Sequence, residues 1–296
     1  MQITGMLWGR KLLDLVEFTH SEVHGPELSV DEIKDMIKRH GQVFIKPMFK
    51  GGVGKKGKSG LLGRVDNISD ALKEKERLYF CEHVDGFNKV KSDGVTYEGA
   101  VPADYEVYFS ITESTEHRSP VMTVTHHGGV DIEELDPDKL AVVPFDPLTG
   151  LKAFHVSNAL MDLGAPPQVI SPLVQNLPKL WDLYNNYGML MLELNPIRMQ
   201  PGKGGRLTPV ACDFKCAFDQ DDPAWKRLQL PSHLFASDCS EFEQEINQLR
   251  TYQGQSDVFV MNDKGSITAP TFGCLLYTSD AADEGLGVDL GGRRII

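Results

Sequence analysis

Lys46 stands just ahead of a loop that reads Gly51-Gly52-Val53-Gly54-Lys55-Lys56-Gly57-Lys58-Ser59-Gly60. Glycines let backbone amides approach an anion, and lysines add point charges. Phosphate is the ligand such a loop suits. Gly52 followed by four residues and Gly57-Lys58-Ser59 is a formal P-loop match, which needs a helix directly after the serine. The sequence continues Gly60-Leu61-Leu62-Gly63-Arg64-Val65, where two glycines and branched apolar residues favour a strand. A flexible glycine hairpin folded over a triphosphate between two strands is the other reading. A solvated basic loop is the plain alternative.

Asn195 and Asp213 form the second candidate, each at or near the end of an expected strand. Their separation permits an antiparallel pair. Hard oxygen ligands suit Mg²⁺, which keeps waters and shares the phosphates of a nucleotide. Glu193 lies two residues before Asn195 and therefore on the same side of a strand. Asn-Pro also marks ordinary turns, and an Asp after a strand often caps something. Glu82 and His83, after an apolar run, could hydrogen-bond an adenine edge and ribose. Glu106, inside a β-rich run, could meet ribose hydroxyls; both acids also read as surface residues. His126-His127-Gly128-Gly129 reads more readily as a turn than as a catalytic pair. Cys212 and Cys216 are not at a strong zinc spacing and read as small buried residues.

These residues need elements to position them. Ser29-Val30-Asp31-Glu32 is a capping box, Ile33, Met36 and Ile37 follow at helical spacing, and Gly41 suits the helix end. Val43–Ile45 and Leu61–Val65 read as strands. Ser69 is expected to cap a short helix through Glu76, Leu78–Cys81 to form a buried strand, and residues 85–104 to be a loop. Tyr105–Ile111 and Val121–Thr125 alternate as antiparallel neighbours would. Ile170, Leu173, Leu177, Leu180, Trp181 and Tyr184 make one helical stripe ended by Gly188. Met189–Leu194 is expected to end at Asn195-Pro196, and Thr208–Phe214 to be a strand carrying Asp213. Ser240 and Glu243 give a second capping box. Asp257–Met261 starts a last strand, turned by residues 262–265. Mixed helices and strands with central hairpins indicate an α+β or α/β chain.

Composition narrows the function classes. The chain has 296 residues, 41% hydrophobic and 24% charged, with a net charge of −12. That is globular composition, and an acidic chain is a poor general binder of polyanions, so no nucleic-acid partner is expected. No apolar run approaches the roughly 18 residues of a membrane span. Five cysteines without framework spacing fit a reducing cytoplasm. Back-translated, Cys274–Ile296 fits a sequencing-library adaptor read in frame, so the natural sequence is expected to end near Gly273.

Taken in order, these segments resemble the ATP-grasp domain of the succinyl-CoA synthetase β subunit and ATP-citrate lyase. The matching pieces are Val43-Phe44-Ile45-Lys46 with the glycine loop, Cys81-Glu82-His83, Tyr105–Tyr108, Gly128–Glu133, Asp146–Gly150, Glu193–Ile197 and Ala211–Lys215. They cover most of residues 40–220. His127 stands where that family usually has Glu. The resemblance implies an α+β ATP-grasp fold, two subdomains clamping ATP over residues 1–255 with a lid over roughly 20–110. It also implies the start of a truncated C-terminal domain at 256–273.

It further implies that Lys46 and Gly51, Gly52, Val53 and Gly54 bind the phosphates of ATP or GTP. Glu82 and His83 would lie at the adenine hinge, Glu106 at the ribose, and Asn195 and Asp213 on Mg²⁺. Glu193 would orient a phosphohistidine from an α-like, CoA-binding partner in a hetero-oligomer. The implied chemistry is acid–thiol ligation, with CoA held mainly by the partner. The rivals are another ATP-grasp ligase such as a carboxylate–amine ligase, a P-loop NTPase, and a nucleotide-binding subunit without turnover.

Overall fold

The computed structural model describes residues 2–49, 60–85, 88–129, 132–219, 222–231 and 241–249, with positions 258, 260 and 266. The chain divides into two compact units, Met1–Phe235 and Ala236–Ile296. Gly51 to Gly54, the 274–296 segment, and most of the expected last strand and its turn lie outside the described residues. Among the described residues no helix is long and apolar enough to cross a membrane.

The first unit opens with β1 (Gln2–Thr4) and α1 (Met6–Asp14), then builds a small sheet from β2 (Val23–His24), α2 (Val30–His40), β3 (Val43–Met48), β4 (Gly63–Val65) and α3 (Ile68–Tyr79). The expected capping box of α2 is present: Ser29 accepts from the Glu32 amide, and Gly41 closes the helix at φ 73°. Only glycine adopts that angle cheaply. Ile33 and Met36 of α2 and Ala71 and Leu78 of α3 pack on Val43, Ile45 and Val65. Each full burial of such a large apolar side chain is worth about 1.5–3 kcal/mol. Because side chains alternate along β3, burying Val43 and Ile45 sends Lys46 to the opposite face. After Gly60 the chain forms β4, antiparallel to β3 with Val65 opposite Val43. No helix starts there, so the P-loop reading is overturned.

Three further expectations fail in this region. The cap of α3 is Asn67, which accepts from the Asp70 amide, not Ser69. Leu78 and Tyr79 belong to the last turn of α3, not to a strand. Leu78 lies seven residues after Ala71 and continues its buried face, and a four-residue apolar run cannot reveal which period it obeys. The expected loop at 85–104 instead holds most of the ribbon β5 (Glu82–Asp85) with β6 (Asn88–Lys91), followed by β7 (Gly94–Gly99). Strand β7 lies between β2 and β3, buried at every position. Its Thr and Glu disguise it, because they face a polar cleft while Val95 and Tyr97 face the helices.

The large sheet follows. It adds β8 (Glu106–Ser114), β9 (Ser119–Thr125) and β10 (Ala141–Pro144), then α4 (Ala153–Asp162), α5 (Pro167–Asn176) and α6 (Lys179–Asn186). It closes with β11 (Met189–Pro201), β12 (Leu207–Ala211) and β13 (Lys215–Phe218). The strand order is β1-β13-β11-β8-β9-β10, with β12 also on β11. The expected β8–β9 hairpin is present. The apolar stripe is buried as expected, but Leu177-Pro178 divides it between α5 and α6. Proline lacks the amide that would continue the first helix. Strand β11 does not stop at Asn195-Pro196 but runs on to Pro201. In the second unit, α7 (Glu241–Gln248) begins one residue after Ser240, which itself lies outside the described residues. Its buried Glu243 accepts from the Val260 amide at 2.7 Å. The mixture of helices and sheets is the expected α+β class.

Candidate active site

The site lies within the first unit, where the polar face of the small sheet meets the large sheet. Its centre is Lys46. The ammonium lies 2.7 Å from Oε2 of Glu98, whose other oxygen accepts from Thr96 Oγ1 at 3.3 Å. Thr96 is paired with Lys46 across β3 and β7, and Glu98 lies two residues further along the same face. Lys46 also donates to the carbonyl of Cys212 at 3.4 Å, a contact spanning 166 residues of sequence. Burial works against the charge, but Glu98 first and Asp213 second outweigh it, so the ammonium is held above the ordinary lysine range. A charge so buried is tolerable only beside an opposite one.

Asp213 is placed by its neighbours. It was expected inside a strand but sits in the short connection between β12 and β13. Phe214 is buried in the large core, and its carbonyl accepts from Gly5 at the foot of α1 at 2.7 Å. On the other side the Cys212 amide donates to the Pro196 carbonyl at 3.0 Å. The carboxylate accepts from the Phe214 amide at 3.0 Å. Ile197 pairs with Ala211 and Glu193 with Lys215, so one register carries through both hairpin partners. That register sets Asn195 opposite Asp213. The antiparallel relation expected from their spacing is therefore present, although Asp213 itself is not in a strand.

Asn195 is tied to the β9 end of the site. Its Oδ1 accepts from the Gly129 amide at 2.9 Å, and the Gly128 amide donates to the Glu106 carbonyl at 2.8 Å. Gly129 has φ +73°, and a Cβ there would collide with the Glu106 carboxylate. Glu106 in turn pairs with Arg198, its cross-strand neighbour on β11. Arg198 also donates to the Val101 carbonyl at 2.9 Å. Val107, Ile197 and Met199 point into the core, so by alternation Glu106 and Arg198 share the opposite face. Glu193, half-buried between Ser110 and Lys215, lies two residues from Asn195.

The structure thus brings Lys46 to the connection that carries Asp213, and joins Asn195 to Glu106 through Gly129. Glu82 and His83 lie on the β5–β6 ribbon; Glu82 is exposed opposite Lys91, and the His83 ring is 6.1 Å from Phe49, the residue after β3. Three participants went unread in the sequence: Glu98, Arg198 and the Gly129 amide. Glu98 had one usable signal, the Thr96-x-Glu98 alternation with Tyr97 between. Burial foremost pushes the Cys212 thiol up to about 12, so it stays protonated and is no nucleophile. Burial and then His127 hold His126 below the usual imidazole range, hence neutral near pH 7.

Among the described residues no three His, Cys, Asp or Glu cluster as a metal site. One carboxylate and one carboxamide opposite each other are instead the hard, sparse oxygen set that suits a Mg²⁺ sharing phosphate oxygens.

A family model described as an ATP-grasp domain matches residues 16–199. The succinate–CoA ligase [ADP-forming] subunit beta of Desulfatibacillum aliphaticivorans is 30% identical over 200 residues, 66% of this chain and 51% of that one. The ADP-forming sulfoacetate-CoA ligase subunit SauC of Bilophila wadsworthia is 28% identical over 224 residues, 74% of this chain and 57% of that one. The chain therefore spans a little over half the length of these relatives. Among solved structures, ATP citrate lyase from Methanothrix soehngenii, in complex with citrate and coenzyme A, superposes with a TM-score of 0.62. It is 19% identical and covers 96% of this chain and 70% of that one, a likeness of fold.

Proposed function

The chain belongs to the ATP-grasp family, and from that premise we propose that it is the ATP-binding part of an acid–thiol ligase, of the succinate–CoA ligase β or ATP-citrate lyase kind. The observation that carries the proposal is the convergence of Lys46 and Asp213 from two different sheets. Phosphoryl transfer asks little of a protein beyond positioning and neutralising charge. Lys46, with Gly51 to Gly54, would hold the phosphates of ATP or GTP. Asn195 and Asp213 would hold Mg²⁺, which when bound neutralises phosphate charge. Glu106 would accept from ribose hydroxyls, and Glu82 and His83 would stand at the purine.

Glu193 would orient the histidine of an α-like, CoA-binding partner as it takes the γ-phosphoryl group and ADP leaves. The phosphoryl group then passes to a carboxylate, freeing the histidine. The CoA thiol attacks the acyl phosphate, and phosphate departs. A hetero-oligomer in the cytoplasm fits this reading and the thiol state of Cys212 and Cys216.

The test is calorimetric titration with Mg-ATP, followed by incubation with γ-labelled ATP and a histidine-bearing α-like partner. Binding, and label on the partner's histidine, are the expected results. Binding without any labelled partner would favour a nucleotide-binding subunit without turnover, and absence of binding would end the proposal.

A further inference from the structure

Arg198 is a cation of the site that the proposed roles leave unused. Its guanidinium makes two divergent contacts: one to the Val101 carbonyl at 2.9 Å and one to Oε1 of Glu106. Val101 lies in the connection that leaves the small sheet after β7 and enters the large sheet at β8. Arg198 itself is on β11. One rigid fork therefore ties three parts together: the link between the sheets, the first residue of β8 and the strand that carries Asn195. A guanidinium holds two acceptors in a fixed plane, which a lysine ammonium cannot do. On its other side the Glu106 carboxylate is pressed on Gly129, whose amide is bonded to Asn195.

We propose that Arg198 is a positioning residue that sets recognition of the nucleotide's sugar, by locking the Glu106 carboxylate at the angle needed to receive vicinal hydroxyls. This rests on the reading of the site as a nucleotide site. A carboxylate oxygen can accept more than one hydrogen bond, so Arg198 occupies Glu106 without exhausting it. Unclamped, the carboxylate is free to turn from the cleft, and the sugar hydroxyls lose an oriented acceptor. The side-chain contacts of Arg198 run to Glu106 and Val101, while those of Lys46 run to Glu98 and the Cys212 carbonyl. The larger loss is therefore expected at the ribose, which separates a positioning role from a merely structural one.

The test compares ATP with 2′,3′-dideoxy-ATP, both with Mg²⁺, on the full chain by calorimetry. The unmodified protein is expected to prefer ATP by about tenfold, the scale of one or two hydrogen bonds to a charged group. Arg198→Met should bring that ratio to within about twofold, chiefly by weakening ATP. Arg198→Lys keeps the charge but not the fork, should retain less than half of the ratio, and serves if the methionine variant does not fold. A full ATP preference in either folded variant overturns the inference, as does equal weakening of both nucleotides. An unmodified chain that binds neither nucleotide overturns the nucleotide reading itself, and this inference with it.

Discussion

Lys46 and Glu22 each sit at the centre of an ion cluster, and the two clusters do different work. Glu22 receives ring N–H groups from His24 at 2.9 Å and His40 at 2.6 Å, together with Arg39 at 2.5 Å. Glu22 directly precedes β2, His24 lies in β2, and Arg39 and His40 end α2, so the cluster is local to one subdomain and partly open to solvent. Lys46 gathers Glu98 from a neighbouring strand and Cys212 and Asp213 from the β12–β13 connection of the large sheet. Its side chain is 16% exposed and that of Glu98 only 5%. The first cluster braces one subdomain locally. The second brings two sheets together around charges that are costly to bury, which suits groups that must meet a polyanion between them.

Replacing Lys46 should separate the clusters most sharply. Lys46→Met removes the ammonium beside the buried Glu98 carboxylate, at a cost on the order of 3–5 kcal/mol in a denaturant titration. Lys46→Met with Glu98→Gln should recover much of that stability while ATP binding stays lost, by roughly a hundredfold or more for a missing phosphate contact. If the double variant regains binding, the cluster is only a strut. Asp213→Asn is expected to weaken Mg-ATP about tenfold to thirtyfold while shifting stability by at most about 1 kcal/mol. An unchanged dependence of binding on Mg²⁺ concentration would remove Asp213 from the metal.

Gly129→Ala combines a strained φ with a clash on Glu106, so a loss of about 1–3 kcal/mol is expected by thermal melting. Its ATP affinity should fall as well, because the Asn195 acceptor and the Glu106 carboxylate both rest on this turn. The smallest effect belongs to Glu22→Gln, about 1 kcal/mol or less near neutral pH, with ATP binding unaltered. Burial pushes the Glu22 carboxyl up, but hydrogen bonds from His40, His24 and Arg39 bring it from 4.5 down to about 2. Its contribution is therefore complete above about pH 4.5 and lost as pH falls toward 2. Melts across that window should show a steeper decline in the unmodified protein than in Glu22→Gln. Parallel curves would discount the cluster.

The same contrast explains what could be read in advance. The α2 capping box, the β8–β9 hairpin and the buried stripe of α5 and α6 rest on local chemistry, and local chemistry is written in the sequence. Lys46 and Asn195 are marked as well, by the glycine loop that follows β3 and by the proline after Asn195, although each lies inside a strand and not at its end. Strand β7 was hidden because its polar residues, Thr96 and Glu98, face a charged partner that only the tertiary fold supplies. Asp213 was assigned to a strand because β12 and β13 follow one another with a single register and only a short break. Arg198 carries no sequence mark at all. Its meaning comes from its pairing opposite Glu106, which a bulge between Leu194 and Ile197 helps to set.

The central claim is that Lys46 and Asp213 close around one triphosphate. A crystal structure of the chain with Mg²⁺ and a non-hydrolysable ATP analogue tests it most directly. Phosphate oxygens within about 3 Å of Lys46 Nζ, with the metal on Asn195 and Asp213, are the predicted result. A nucleotide bound elsewhere, with the Lys46–Glu98 pair unchanged and no metal at Asp213, would contradict it.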